Sequence, residues 1–152
     1  MNVFYEFHKI VEHLQAERVD YALIGGVAVA VHTTPRFTKD IDLLIPEHEI
    51  ARVTDILKRE GYFASAPPWT FKDSRLTLRR FMRVHELDEM IVGVLVADDD
   101  RHRQIIANAR DAEAEGTGVI RVAAKADLIW LKRRRNSKQD QADIERLENE
   151  EG

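Results

Sequence analysis

The sequence predicts an α+β domain in which a mixed β-sheet is flanked by helices and followed by a short C-terminal helical appendage. Apolar residues spaced three and four apart alternate along the chain with short β-prone runs, which indicates interleaved helices and strands. Two β-prone runs, 76–84 and 89–96, flank a turn at 85–88 and so predict an antiparallel hairpin. The predicted order is α-β-α-β-α-β-β-α-β-α-α, which requires a mixed sheet.

The first part of the chain is predicted to form three helices and two strands, each with its own stop signal. Apolar side chains recur at helical spacing in the helices, and the strands are short apolar runs. A glycine pair ends the first strand, and Pro46 ends the second. In chain order the elements are a helix over 3–17, a strand over 21–24, a helix over 27–32, a strand over 40–45 and a helix from 46 to about 61.

After the hairpin, the sequence predicts three more helices and one short strand. The acidic run 98–100 can cap a helix that continues to about residue 109, and a last strand covers 119–122. Two helices follow, over 124–134 and 137–148, and Ser137-Lys-Gln-Asp140 resembles a capping box for the second. We therefore expect a core over residues 1–122, with the helical appendage at 123–152 packed on it.

Composition and charge exclude several classes of protein. The chain has 152 residues and no cysteine, so it has no disulfide scaffold, zinc ribbon, iron–sulfur cluster or thiol nucleophile. A formal net charge of −4 argues against a positive field over the whole surface, and the basic residues concentrate at 132–138. No stretch reaches the roughly 18 apolar residues of a spanning helix. We expect a soluble, cytoplasmic protein with no membrane partner.

The densest polar chemistry in an apolar setting lies between Gly25 and Leu43. Gly25 and Gly26 follow a strand and precede a helix, where the backbone can approach a phosphate and the helix offers unpaired N–H groups. Asp40 and Asp42 are two apart on a strand, so both carboxylates point to the same face, within reach of one Mg²⁺. Together these residues predict a site for a nucleoside triphosphate and magnesium.

The spacing of the two motifs resembles that of the DNA polymerase β-type nucleotidyltransferase superfamily, with thirteen residues between Gly26 and Asp40. Within it, the chain is most similar to small bacterial nucleotidyltransferase-like proteins related to the AbiEii abortive-infection toxins. The matching N-terminal residues are Gly25, Gly26, Ala28, His32, Arg36, Thr38, Asp40 and Asp42. The C-terminal pattern of that group is matched by Leu128-Ile129, Lys132, Arg135, Asp140, Asp143-Ile144 and Leu147.

This resemblance implies a nucleotidyltransferase-like sheet and an activity. Triphosphate would lie at the Gly25–Gly26 turn, with Asp40 and Asp42 as catalytic metal ligands for Mg²⁺. The remaining implied nucleotide-binding residues are Arg36, Thr38, Lys39 and Lys132, of which the cations would neutralise phosphate charge. The expected reaction transfers a nucleoside monophosphate to a hydroxyl of an RNA or protein acceptor.

One position departs from the resembled pattern. The strand 90–97 resembles a family strand of the form Val-Asp-Val-Leu, and Gly93 stands where its Asp, a third carboxylate, is expected. Loss of that group removes a metal ligand and a candidate base. The alignment could be shifted, so that Asp88, Glu89 or Asp98 is the ligand. Alternatively, the site binds nucleotide without transfer, or it works with one metal or a partner's residue.

Other functions stay open at this stage. A non-catalytic module that binds a nucleotide or a partner, such as one half of a toxin–antitoxin pair, is the main alternative, and RNA binding through 132–138 is a third. A chain of this length has little room for an acceptor-binding domain. Specificity would then come from the tail, from a second copy of the chain or from a cognate toxin or antitoxin.

Several polar and aromatic residues are predicted to have structural roles. We expect His32 to be satisfied by a carbonyl at a helix end, Asp140 to cap a helix and Asp143 to pair with Lys132 or an arginine. Trp69 and Trp130 are interpreted as packing residues.

Overall fold

The structure, a computed structural model, describes residues 3–33, 40–72, 75–114, 118–135 and 137–149. Six α-helices and one eight-stranded sheet are formed by these residues. The helices are α1 (Val3–Ala16), α2 (Gly25–His32), α3 (Ile50–Arg59), α4 (Asp100–Asn108), α5 (Lys125–Arg135) and α6 (Lys138–Asn149). The strands are β1 (Ala22–Ile24), β2 (Asp40–Pro46), β3 (Phe63–Ala64), β4 (Trp69–Thr70), β5 (Thr77–His85), β6 (Asp88–Ala97), β7 (Arg110–Ala114) and β8 (Gly118–Val122).

The sheet is mixed, as the sequence predicts. Its strand order is β3-β5-β6-β2-β1-β8-β7, and β4 also pairs with β5. β2 runs parallel to β6 and β1 runs parallel to β8, whereas the other pairs are antiparallel. The predicted hairpin is confirmed as β5 and β6, which are joined at Glu86 and Leu87. Among the described helices, none combines the length and apolar character needed to cross a bilayer.

Three strands that the sequence analysis does not predict lie towards the two edges of the sheet. β3 and β4 have two residues each and pair with β5, so their own sequence is too short to show a strand period. β7 contains two Ala and three charged residues, which have low strand propensity. Its pairing with β8 forms the strand, and the Asp111–Arg121 contact of 3.3 Å across that pair adds an exposed ion pair.

The third helix begins later than Pro46, where the sequence analysis places its start. Residues Glu47–Glu49 form a 3₁₀ turn, and α3 begins at Ile50. Glu49 is buried because its carboxylate accepts hydrogen bonds from the Asp20 N–H at 2.8 Å and from Arg52. These bonds tie the turn to the end of the α1–β1 connection.

The two faces of β2 have different surroundings, and this difference positions the functional site. Ile41, Leu43 and Ile45 are fully buried on one face. On the same face of the sheet, Arg83 of β5 donates hydrogen bonds of 2.6 and 2.7 Å to Glu6 of α1. The opposite face carries Asp40, Asp42 and Leu44. α5 covers that face, since its Leu128 and Leu131 line one cavity together with Asp42.

Leu43→Ala tests the central position of β2 in the core. We expect the free energy of unfolding to fall by about 2–5 kcal/mol, because the cavity left in a fully buried strand cannot collapse completely. Leu87→Ala is the matched control, since Leu87 is fully exposed at the hairpin turn and should change stability by less than about 0.5 kcal/mol. Urea unfolding measures both variants, and equal losses would contradict the assigned core.

Candidate functional site

The turn between β1 and α2 requires glycine at position 25 for two reasons. Gly25 has a φ of 75°, a left-handed conformation that other residues rarely adopt. A β-carbon at this position would also overlap the Oδ2 atom of Asp42. The backbone of the turn therefore lies directly against the Asp42 carboxylate.

The N-terminus of α2 is open to an anion. Gly25 and Gly26 are its first two residues, and Ile24 before them supplies no side-chain cap. The N–H groups of a first helical turn have no partner within the helix, so they and the helix dipole favour a negative group. This geometry matches the phosphate role predicted for the glycine pair.

Asp42 lies between Gly25 and Gly93. The register of β2 and β6 places Gly93 opposite Asp42, on the same face of the sheet. A β-carbon on Gly93 would come within 2.5 Å of Asp42 Oδ1 and 3.2 Å of Leu78 Cδ1. The Asp42 carboxylate thus occupies the space that a side chain at position 93 would need.

The same register shows where the three alternative carboxylates lie relative to Asp42. Asp98 follows the far end of β6, where Ala97 pairs with Pro46, and Asp88 points to the opposite face. Glu89 is exposed and lies on the same face as Gly93. However, it comes two residues before Ile91, which is the residue that pairs with Asp40. Among the described residues, no three His, Cys, Asp or Glu side chains gather into a metal-binding group. The register therefore places Gly93, and none of these three carboxylates, directly opposite Asp42.

The two carboxylates of β2 differ in environment. Asp40 is exposed, whereas Asp42 is half-buried. Burial and, second, the neighbouring charge of Asp40 raise the pKa of Asp42 to about 6, and Arg135 and Lys132 partly offset that rise. Two oxygen ligands on one face suit Mg²⁺, which takes one or two carboxylates and completes its shell with water and phosphate. The donor set present therefore fits a magnesium ion that substrate phosphates also hold.

A buried ion cluster stands at the other side of the cavity, where α5 meets α6. Lys132 Nζ lies 3.1 Å from Asp143 Oδ2 and 3.5 Å from Asp140 Oδ1. Arg135 donates two hydrogen bonds of 2.7 and 2.8 Å to Asp140. Asp140 and Asp143 are fully buried, as is almost all of Lys132. The predicted pairing of Asp143 with Lys132 is confirmed.

Asp140 also closes the predicted capping box. Its Oδ2 accepts from the Ser137 N–H at 3.0 Å, and its own N–H donates to Ser137 Oγ at 3.0 Å. Burial opposes ionisation of Asp140, but hydrogen bonds from Arg135 and Ser137 outweigh it and hold the pKa of Asp140 well below its ordinary value. The carboxylate is thus a fixed anion that orients both cations of α5.

Part of these groups, without Gly26, Asp40 and Asp143, lines one cavity of about 180 Å³ between α5 and the sheet. It brings together Gly25, Asp42 and Lys132, three of the predicted site residues, and adds Arg135 and Lys72. Arg36, Thr38 and Lys39 lie outside the described residues. Lys72 and the apolar wall around it come from the segment before β5, where the sequence shows no motif that could have indicated them.

Trp69 is predicted to be a packing residue, but in the structure it is exposed. It lies on β4 with 65% of its surface exposed and pairs with Leu78 of β5. Trp130 does pack: the Arg101 and Arg134 guanidinium groups each lie 4.5 Å from its ring centre.

The structural prediction for His32 is confirmed. His32 Nε2 donates a hydrogen bond of 2.9 Å to the carbonyl of Ala123. This bond ties the end of α2 to the segment between β8 and α5.

Comparison with known proteins identifies relatives of this fold. The family model for aminoglycoside-2''-adenylyltransferase matches residues 6–126. ANT(2'')-Ia, solved in complex with adenylyl-2''-tobramycin, superposes with a TM-score of 0.62 at 16% identity, over 95% of this chain and 86% of that chain. The lincosamide antibiotic adenylyltransferase LnuA, bound to lincomycin, gives 0.63 at 14% identity over 95% of both chains.

A proposed nucleotidyltransferase from Thermotoga maritima gives a TM-score of 0.57 at 17% identity, over 88% of this chain and 86% of that chain. At such identities these structures show a shared fold, and the predicted nucleotidyltransferase-like fold is confirmed. No curated protein sequence matches the chain.

Gly93→Ala tests the close packing around Asp42. We expect the free energy of unfolding to fall by about 1 kcal/mol, because the Asp42 carboxylate would have to move away from the new methyl group. In an Asp42→Ala background the same substitution should cost less, with a coupling energy of about 1 kcal/mol. Chemical denaturation of the four proteins gives this value, and equal effects in both backgrounds would contradict the geometry.

Asp140→Asn tests the ion cluster. Near pH 7 we expect a loss of about 1–3 kcal/mol in the free energy of unfolding, because Arg135 and Lys132 lose a charged acceptor. The pKa of Asp140 is lower in the folded chain, so its contribution is complete above the unfolded pKa of about 3.9 and declines as the pH falls further.

The difference between wild type and Asp140→Asn should therefore be constant from about pH 7 to 5 and narrow near pH 3. Urea titrations at each pH measure it. Asp55→Asn is the control, since Asp55 forms an exposed pair with Arg59 on α3. A difference that persists unchanged near pH 3 would show that the Asp140 charge does not stabilise the fold.

Proposed function

The chain belongs to the aminoglycoside-2''-adenylyltransferase family, and from this membership we infer that it binds a nucleoside triphosphate with Mg²⁺ and transfers a nucleoside monophosphate to a hydroxyl group. Nucleotide transfer is what the family model and the similar structures have in common by name. One observation carries the proposal: the Asp42 carboxylate touches the glycine turn at Gly25 and shares a sheet face with Asp40. ATP is the proposed donor.

The chain offers its own groups to the triphosphate. In this proposal the first-turn N–H groups of α2, at Gly25 and Gly26, donate hydrogen bonds to phosphate oxygens. Lys132 and Arg135 face the same cavity and bring positive charge towards it. Asp140 and Asp143 already pair with these two cations. Lys132 and Arg135 therefore act as oriented hydrogen-bond donors rather than as free charges. Arg36, Thr38 and Lys39 stay predicted phosphate ligands.

Asp40 and Asp42 would hold the magnesium ion. When bound, Mg²⁺ neutralises charge that develops on the phosphate oxygens. The role of the two side chains is to supply oxygen ligands from a rigid strand, beside the phosphate-binding turn. Asp42 is mostly ionised near pH 7, since its pKa is about 6.

The proposed reaction is an in-line displacement. The acceptor oxygen attacks the α-phosphorus and forms a new P–O bond, the bond from that phosphorus to the bridging oxygen breaks, and pyrophosphate leaves. The hydroxyl proton must be taken up by a base or by water. Gly93 leaves no carboxylate beside Asp42 on β6 for this role. Positioned general bases contribute about 10²–10⁴-fold, so we expect slow transfer.

The acceptor is proposed to be a small molecule. The structure of ANT(2'')-Ia contains adenylyl-2''-tobramycin, and that of LnuA contains lincomycin. Each of these ligands is an antibiotic or an antibiotic derivative. An RNA or protein acceptor, and a closer relation to the AbiEii group, stay predictions from the sequence.

Gly93 also favours a second candidate, a module that binds a nucleotide or a partner without catalysis. Such a module would keep the turn and the Asp40–Asp42 pair but lack chemistry. A toxin–antitoxin component is one example. The two candidates agree on binding and differ in turnover, so one set of variants tests both.

Asp42→Asn is the diagnostic change. We expect calorimetric titration of the wild-type chain to show ATP binding that requires Mg²⁺, and the variant to bind at least about tenfold more weakly, because a metal ligand loses its charge. Its stability should not fall, since the substitution removes repulsion with Asp40. Asp55→Asn, at an exposed site on α3, should bind normally.

Transfer is measured with ATP labelled at the α-phosphate and a panel of hydroxylated small molecules. Label that enters a product in the wild type, but not in Asp42→Asn, supports the transferase. Binding with no labelled product supports the non-catalytic module. Absence of magnesium-dependent binding would exclude the transferase and a nucleotide-binding module, and would leave only a module that binds a partner.

A further inference from the structure

Trp69 presents a large aromatic side chain to solvent beside the candidate site, with 65% of its surface exposed. We propose that Trp69 stacks on the base of the bound nucleoside triphosphate. The inference rests on the proposed function, because it assigns a protein contact to the part of the nucleotide that lies beyond the phosphates.

The register of the sheet places the Trp69 side chain on the face that carries Asp42. One row of paired residues crosses β2, β6, β5 and β4, and its members are Leu44, Leu95, Leu78 and Trp69. Directly paired residues of neighbouring strands share a face, and so do residues two apart on one strand. Asp42 lies two residues before Leu44 on β2. The indole and the carboxylate therefore rise from the same side of the sheet.

The separation of Asp42 and Trp69 suits a single nucleotide. Three strand spacings of about 4.8 Å each separate β2 from β4, which gives about 14 Å between their backbones. Both side chains extend from the sheet over this interval. In the proposed complex the α-phosphate lies at Asp42, the ribose lies over β6, and the base reaches Trp69.

Phe71 connects the exposed indole to the cavity. It follows Trp69 by two residues and lines the cavity together with Asp42 and Leu78. Its N–H donates a hydrogen bond of 2.9 Å to the carbonyl of Leu76, which holds this segment beside the start of β5. An aromatic surface thus continues from the cavity that contains Asp42 to Trp69 at its outer side.

The segment around Trp69 is held in place by its own sequence. Pro67 and Pro68 fix two φ angles directly before it. After it, the hydroxyl groups of Thr70 and Thr77 are joined by a hydrogen bond of 2.9 Å between β4 and β5. An aromatic side chain on a fixed strand loses little conformational entropy when a ligand stacks on it.

The chemistry of the indole favours a base as its occupant. Aromatic rings stack in offset arrangements, and every nucleobase has a π face that can take part. The base edges, with their donors and acceptors, would stay in contact with water at this exposed position, so they lose no hydrogen bonds. The saturated sugar ring of an acceptor offers no comparable π face.

Two ligands that share a phosphate chain test the proposal. ATP and inorganic tripolyphosphate, each with Mg²⁺, both fit the proposed phosphate and metal site, but only ATP carries a base. The chain has two tryptophans, so Trp130→Phe leaves Trp69 as the only tryptophan that fluoresces. We expect ATP to quench that fluorescence, and tripolyphosphate to bind without quenching it.

Calorimetric titration of variants in the otherwise unchanged chain measures the contribution of the indole. Trp69→Ala should weaken ATP binding by about 5- to 100-fold, the range known for base–aromatic stacking, and leave the affinity for tripolyphosphate unchanged. Trp69→Phe keeps an aromatic face and should lie closer to the wild type. Leu87→Ala, at the exposed hairpin turn, is the control and should bind both ligands normally.

The outcomes separate this inference from the proposed function. Unchanged ATP affinity in Trp69→Ala, or unchanged fluorescence of Trp69 when ATP binds, would overturn the inference while the triphosphate site still stood. A variant that binds ATP normally but binds tobramycin or lincomycin more weakly would show that the indole holds the acceptor, which also overturns it. A wild-type chain that binds neither ATP nor tripolyphosphate would instead contradict the proposed function, and the inference with it.

Discussion

The enclosure of the Asp42 carboxylate by two glycines is the constraint on which the site depends. Gly25 and Gly93 come from the elements on either side of β2, and neither position can carry a side chain without displacing Asp42. The arrangement holds a potential metal ligand beside the turn that is proposed to bind phosphate. The Asp42 carboxylate also occupies the space that Gly93 leaves beside it.

The basic residues of α5 have structural partners that the sequence alone does not show. Lys132 is buried against Asp143, and the exposed Arg135 pairs with the buried Asp140. Arg133 pairs with Glu148, and Arg134 stacks on Trp130. Within the described residues, these contacts tie α5 to α6 and to its surroundings beside the site. RNA binding through 132–138 stays a prediction.

The cavity has a polar side and an apolar side. One side presents the α2 N-terminus, Asp42 and the oriented cations of α5, which suit phosphate and magnesium. The other side presents leucines from the sheet and α5. Because α5 supplies both Lys132 and Leu131, a single helix lines both sides of the cavity.

The sequence by itself determined the α+β class, the hairpin, the helix caps and the Gly25–Asp42 pairing of motifs, because each depends on local periodicity or turn chemistry. The sequence did not predict the short strands β3 and β4, because they form only through pairing with β5. Only the tertiary structure decided that Gly93 lies opposite Asp42, because strand register is a long-range property and a shift of one residue reverses every side chain. The apolar walls of the cavity likewise follow from packing alone, because they come from α5, from β1, β5 and β6, and from Phe71 and Leu76.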